Sequence, residues 1–144
     1  MPTIAPEKVL GTEVPVPASA GLRFANLLVD YAVQFGIAFV IAYGVVEVWG
    51  EAGYYWLMSI PDIVFGLGIA VTYYLVLEWA FGRTIGKLLT GTRAVTATGE
   101  RLGFGKALGR TLCRFIPFEA FSFLGMQARG WHDSIPNTYV VKCR

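Results

Sequence analysis

Leu22 to Val48, LRFANLLVDYAVQFGIAFVIAYGVVEV, is the stretch whose reading decides the fold. It is apolar and long enough to cross a bilayer, since about 20 helical residues at 1.5 Å each cover ~30 Å of hydrocarbon. It also carries Arg23, Asn26, Asp30 and Gln34, at intervals of three, four and four. With 3.6 residues per turn these four fall on one stripe, and Phe24, Leu27, Leu28, Val29, Val33, Phe35 and Ile37 cover the other faces. An ionisable side chain inside the bilayer costs roughly 2.5–3.5 kcal/mol on insertion scales, so the stripe is expected to face protein or water. Two readings are open for it. Carboxylate and amide oxygens bind small hard cations and a carboxylate exchanges protons, which makes the stripe an ion or proton site. Alternatively it is a structural arginine–aspartate network that fixes helix packing or a dimer.

The rest of the composition agrees with a bilayer as solvent. The chain has 144 residues, 55% of them hydrophobic and 15% charged, with a mean hydropathy of +0.54, far from the balance of a soluble domain. A formal charge of +2 is too small to argue for nucleic acid. Residues 1–20 show no hydrophobic period and contain Pro2, Pro6, Pro15 and Pro17, so they read as a flexible cytosolic tail preceding a membrane domain over 21–144. The tail lacks the charged start and apolar centre of a cleavable signal, which makes the first span a retained anchor. Ser19 is placed to cap it.

A second span is expected over about 61–81, with Pro61 and Asp62 suited to a helix N-terminus and Glu78 as a second membrane-embedded carboxylate. The connection between the spans holds Trp49, Tyr54, Tyr55 and Trp56, which favour the interface, and no Lys or Arg over 49–60. Basic residues crowd the other side instead: Arg83, Lys87, Arg93, Arg101, Lys106, Arg110 and Arg114. The positive-inside rule then puts both termini in the cytoplasm, in a multi-pass protein of the cell inner membrane. Asp30 lies about 10 Å from the Arg23 edge and Glu78 about 7 Å from the Arg83 edge. The two carboxylates thus reach similar depth near the cytosolic leaflet.

Beyond the second span, Leu89 to Thr98 is β-prone, and Thr98, Gly99 and Glu100 form a turn, so a short β-hairpin is expected. From Phe104 to Phe115 the period becomes helical, with Phe104, Leu108, Thr111, Leu112 and Phe115 on one arc and Lys106, Arg110 and Arg114 on the other. That is an interfacial amphipathic helix. Its three cations either reach lipid phosphates or turn Arg110 and Arg114 toward the buried carboxylates. Phe115 to Met126 is apolar but too short to span, and reads as re-entrant or interfacial. The C-terminal stretch holds His132, the one histidine, and Asp133. These two either handle a proton at neutral pH or anchor the C-terminal segment against Arg23 or Arg110.

At this point the residues resemble those of the RDD family, small bacterial membrane proteins named for one arginine and two aspartates. Arg23 matches the family arginine at the start of the first helix, Asp30 the aspartate in the middle of that helix, and Asp133 the second aspartate, before PNTYVV. EWAFGRTIGKLLTGTRAV is similar to the family's passage from the second span into the cytosolic loop, so the likeness runs from about Gly21 to Lys142. The departure is Phe115 to Met126, where relatives have room for another full span. The resemblance implies transport, with cation/proton antiport proposed for some members.

Other function classes fall away on motif tests. GRTIGK, residues 82–87, lacks G-x-x-x-x-G-K-[ST] and has no βα context. Ser122 and Ser134 sit in no nucleophile elbow, Cys113 and Cys143 have no metal-ligand spacing, and neither catalysis nor a cofactor is expected. The expectation is a mainly α-helical integral membrane protein. Its leading activity is cation/proton exchange through Asp30 with Glu78 or Asp133, assisted by Arg23, Asn26, Gln34 and His132. Two spans enclose no pathway alone, so this requires a homo-oligomer or a membrane partner, with a monovalent cation or proton as cargo. The alternative is a non-transporting module that binds lipid headgroups or a partner protein, with the Arg/Asp set structural and Lys106, Arg110 and Arg114 on lipid phosphate.

Overall fold

The structure is a computed structural model, and it describes residues 17–117, 121 and 131–143. Residues 1–16 of the tail and most of the Phe115 to Met126 stretch lie outside the described residues. Two long helices carry the chain away from and back to one end, where the remaining elements gather. Helix α1 covers Ala20–Ser59 and α2 covers Asp62–Phe81. Ser19 caps α1, its hydroxyl accepting from Leu22 N at 3.4 Å.

The expected loop between the spans is itself largely helical. Helix α1 runs on to Gly50, which takes φ 59° and ψ −137°, a conformation that an L side chain resists. It then resumes through the aromatic segment to Ser59, and only Ile60 and Pro61 separate it from α2. Good helix formers with no proline before position 61 leave nothing to stop the helix short of that glycine. Up to Gly50 the helix is roughly 45 Å long, whereas α2 is close to the ~30 Å of a bilayer core. Both are apolar enough to span.

At the shared end, α3 (Ile85–Leu89) leads into β1 (Thr92–Thr96). Next come α4 (Phe104–Cys113), α5 (Trp131–Ser134) and β2 (Thr138–Lys142). The chain does reverse after β1, with Gly99 N bonded to Thr96 O and Thr96 N to Glu100 O. It then enters α4, however, so β1 pairs not with its neighbour but with β2, antiparallel, with Thr92 opposite Lys142 and Thr96 opposite Thr138. The incoming chain closes the far side of β2: Pro17 bridges Val141, and Ala18 N donates to Val140 O at 2.7 Å. Both ends of the described chain are thereby joined in one cap, with α3 against α1, α4 against α2 and α5 against α4.

The interior of this cap is polar. Among the described residues, fourteen polar or charged side chains are buried against nine apolar ones, while Phe35, Phe39, Val40, Val48 and Ile63 stand more than two-thirds exposed. That inversion is what a bilayer demands, since hydrocarbon already satisfies apolar faces and only polar groups need protein around them.

Candidate functional site

The stripe on α1 faces inward along its whole length. Arg23, Asn26, Asp30 and Gln34 are buried, and beyond them the only other buried residue of α1 is Gly53. The partners of each are set by the segment after α2.

Asp30 is the docking point of that segment. Its Oδ1 accepts from the Tyr73 hydroxyl of α2 at 2.7 Å and from Gly86 N at 2.8 Å, and its Oδ2 accepts from the Thr84 hydroxyl at 2.7 Å. Thr84 is the N-cap of α3, receiving Lys87 N at 3.3 Å, and Tyr73 Oη also accepts from Ile85 N at 3.2 Å. One carboxylate therefore ties α1 to α2 and to the first turn of α3 through three donors, which leaves it little capacity for a further ligand. Gly86 is required for this approach, because a Cβ there would fall on the Asn26 carbonyl and within 2.9 Å of Asp30 Oδ1. Asn26 holds the next turn. The amide orientation that satisfies both ends donates to Gly86 O at 3.0 Å and Leu22 O at 3.2 Å and accepts from the Thr92 hydroxyl at 3.0 Å.

Glu78, fully buried on α2, collects three cations. Lys87 Nζ donates to Oε1, Arg110 Nε to Oε2 at 2.8 Å, and Arg114 Nη2 to Oε1 at 3.0 Å. The Arg114 guanidinium also lies 4.2 Å above the Tyr74 ring. Of the two orientations open to α4, this is the inward one. Arg110 is fully buried, Lys106 is half-buried, and Phe104 and Leu112 point outward on the apolar face. Arg110 and Arg114 are therefore occupied by a carboxylate and are not displayed to lipid phosphate.

Asp133 joins the chain ends. It is fully buried, ion-paired to Arg23 of α1 and to Arg110 of α4, and Arg110 also bonds the Thr138 hydroxyl at the start of β2. The whole forms a relay from Arg23 through Asp133 and Arg110 to Glu78, then to Lys87 and Arg114. Asp30 and Glu78 belong to this polar layer at adjacent positions, each with its own donors.

Burial pulls Lys87 down to about 8, opposed by the Glu78 carboxylate beside it. Burial also drives His132 well below the usual imidazole value, and the Arg114 and Arg110 charges push the same way. His132 is therefore neutral at pH 7. It lies 3.7 Å from Asp133 Oδ1 and helps line a cavity of about 30 Å³ with Arg23, Asn26, Asp30, Lys87 and Arg114. That is room for about one water molecule. Gln34 sits one turn beyond, its amide nitrogen without a hydrogen-bond partner among the described residues. Four cations of this layer, Arg23, Lys87, Arg110 and Arg114, face three carboxylates among the described residues.

Sequence reasoning singled out the charged members except Lys87, and missed Tyr73, Thr84, Gly86 and Thr92. For all but Tyr73, which lies within α2, the signal was present as small and hydroxylated residues at close intervals in the GRTIGKLLTGT stretch, a composition unlike that of the apolar spans. No curated protein and no solved structure matches the chain. The model of the RDD family matches residues 17–135, from the strand-like lead into α1 to just past α5, a range that takes in Arg23, Asp30 and Asp133: the chain belongs to the RDD family and is a membrane protein.

Proposed function

We propose that this protein is a non-transporting membrane module, in which the arginine–carboxylate relay is a clasp that holds the cap on the two spans. The cap then offers its surface to lipid headgroups or a partner protein at the cytoplasmic face of the inner membrane. The observation that carries the reading is the engagement of Asp133 by both Arg23 and Arg110, with Asp30 already spent on Tyr73, Thr84 and Gly86. A carboxylate with three donors and another between two guanidiniums serve as joints more readily than as exchangeable ligands. The surplus of cations in the layer also disfavours an added metal cation. The orientation follows from the basic residues after α2 and their lack over 49–60.

The second reading, cation/proton exchange by a homo-oligomer, draws on the small polar cavity, which touches Asp30, Asn26 and His132. Arg23, Lys87 and Arg114 line the same cavity and weigh against it. Thermal unfolding of the purified protein in detergent separates the two. On the clasp reading, Asp30→Asn lowers the midpoint, and the unmutated protein melts at one temperature in sodium, potassium, lithium or choline chloride of equal ionic strength. Stabilisation by one particular cation, or cation-driven proton flux in proteoliposomes that is lost in Asp30→Asn, would overturn it.

A further inference from the structure

Outside the relay, three arginines among the described residues have no carboxylate, Arg83, Arg93 and Arg101, and Arg101 donates to the Ala80 carbonyl at 3.0 Å. Arg83 comes directly after the Gly82 cap of α2, Arg93 lies on β1, and neither is ion-paired among the described residues. They share the wall of a groove of about 470 Å³ with Leu77 and Phe81 of α2 and Ile85 and Leu88 of α3. The residues divide by height. Leu77 and Phe81 belong to the last turns of the span, at the edge of the hydrocarbon, while the arginines lie just past its end, at the level of headgroups. Phe81 and Leu88 are both about 60% exposed.

Arg93 is held in this position by the backbone. Gly82 adopts φ 67°, and a Cβ there would stand 3.3 Å from Arg93 Nε, so the arginine lies flat on a residue with no side chain. Ala94 N donates to Gly82 O at 2.9 Å, pinning β1 to the helix end. The Nε of Arg93 is buried and has no hydrogen-bond partner among the described residues. A buried guanidinium nitrogen without an acceptor is costly, and an acceptor delivered from outside would remove that cost.

We infer that this groove binds one anionic phospholipid of the cytoplasmic leaflet, its phosphate between Arg83 and Arg93 and an acyl chain along Leu77 and Phe81. Charge complementarity selects the phosphate, since guanidinium pairs well with phosphate oxygens. The apolar wall running into the bilayer selects the lipid over a free anion, which would leave Leu77 and Phe81 without a partner. This deepens the module reading above, and rests on it, by naming the lipid class and placing the contact at Arg83 and Arg93.

Native mass spectrometry of the full chain in mixed micelles tests it, with phosphatidylglycerol or phosphatidylcholine as the probe. One phosphatidylglycerol is expected to stay bound where phosphatidylcholine is lost, and excess inorganic phosphate leaves it in place. Arg83→Gln and Arg93→Gln each weaken retention about fivefold and the pair more than either, following the charge each arginine brings to an anionic headgroup. Lys142→Gln on β2, exposed and in register with Thr92 rather than Arg93, leaves retention unchanged. Arg83 is half-buried and makes no ion pair among the described residues, so Arg83→Gln keeps the test open if Arg93→Gln does not fold. Equal retention of the two lipids, displacement by inorganic phosphate, or the same loss from Lys142→Gln as from Arg83→Gln would overturn the inference. None of these outcomes bears on ion flux, so the module reading stands or falls separately.

Discussion

Along α1 the stretch from Ala20 to Gln34 and the stretch from Phe35 to Ser59 are built from the same apolar material, yet only the first is held by the protein. The first buries Arg23, Asn26, Asp30 and Gln34, and its neighbours reach it from α2, α3, β1 and α5. The second buries Gly53 alone, and a groove of about 530 Å³ opens between it and α2, lined by Ile37, Ile41, Val64, Phe65, Gly68 and Ile69. The difference shows what holds helices together in this chain. Hydrocarbon gives apolar faces no reason to leave lipid for each other, whereas buried carboxylates and guanidiniums have no alternative partner. The polar end is closed because it is polar.

The sharpest way to break the comparison is to remove the residue through which the closed end is joined. Arg110 is fully buried and pairs with both Glu78 and Asp133, so Arg110→Ala takes a shared guanidinium from two buried carboxylates at once and leaves Glu78 to Lys87 and Arg114 and Asp133 to Arg23. A loss of about 3–5 kcal/mol is expected, enough to unfold the cap in detergent, because Glu78, Asp133 and the Thr138 hydroxyl each lose a buried donor and the missing side chain leaves a cavity. Chemical denaturation in detergent measures it. A loss below about 1 kcal/mol would mean that the relay is not what closes this end.

A weaker perturbation uses pH. Histidine ordinarily titrates near 6.5, and burial beside Arg114 and Arg110, with Lys87 adding to them and Glu78 opposing, holds His132 well below that. The folded state therefore resists a proton that the unfolded state accepts. Its contribution is fully present above the ordinary imidazole value and is lost as pH falls below it toward the depressed folded value. The melting temperature should decline between about pH 7.5 and about pH 5.5, and His132→Gln should flatten that slope. An unchanged slope in the variant would assign the acid sensitivity to other groups. Lys87, lowered to about 8, makes stability rise from about pH 8 upward and adds nothing across this acid window.

The part of the fold that is legible in the sequence is the part set by forces acting within one element. The spans and the polar stripe are local patterns of period 3.6, and they read directly from Leu22 to Val48. The three buried carboxylates were recognisable because charge is expensive in that setting wherever it occurs. Their pairing was legible only as alternatives, such as Asp133 against Arg23 or Arg110, of which the structure takes both. Asp30 and Glu78 at equal depth look like one site, yet Tyr73, Thr84 and Gly86 take the first while Lys87, Arg110 and Arg114 take the second. Which cation reaches which anion depends on where α3 and α4 return, a long-range fact no local period encodes. The same applies to β1. Its β-prone residues were readable, but its partner is the C-terminal strand, brought there by the Arg23–Asp133 contact. The turn at Gly99 was a true local signal that led to a helix, because a turn fixes the reversal of the chain and not the type of the next element.

The smallest expected effect probes the open end. Gly68 lines the wide groove, and a Cβ there would meet nothing within 4 Å. If lipid fills the groove, Gly68→Leu places an apolar side chain in an apolar fluid that yields to it, and leucine's better helix propensity acts in the same direction. Stability should then hold or rise by up to about 1 kcal/mol, and the particle mass should not change at all. If a second copy of the chain covers the groove, the same side chain overpacks a fitted interface at a cost of about 1–3 kcal/mol and shifts the mass toward monomer. Thermal unfolding together with light scattering in nanodiscs therefore decides whether this half of the molecule is open to lipid or closed by protein. An exchange pathway made by an oligomer needs the second outcome, because two spans surround nothing by themselves.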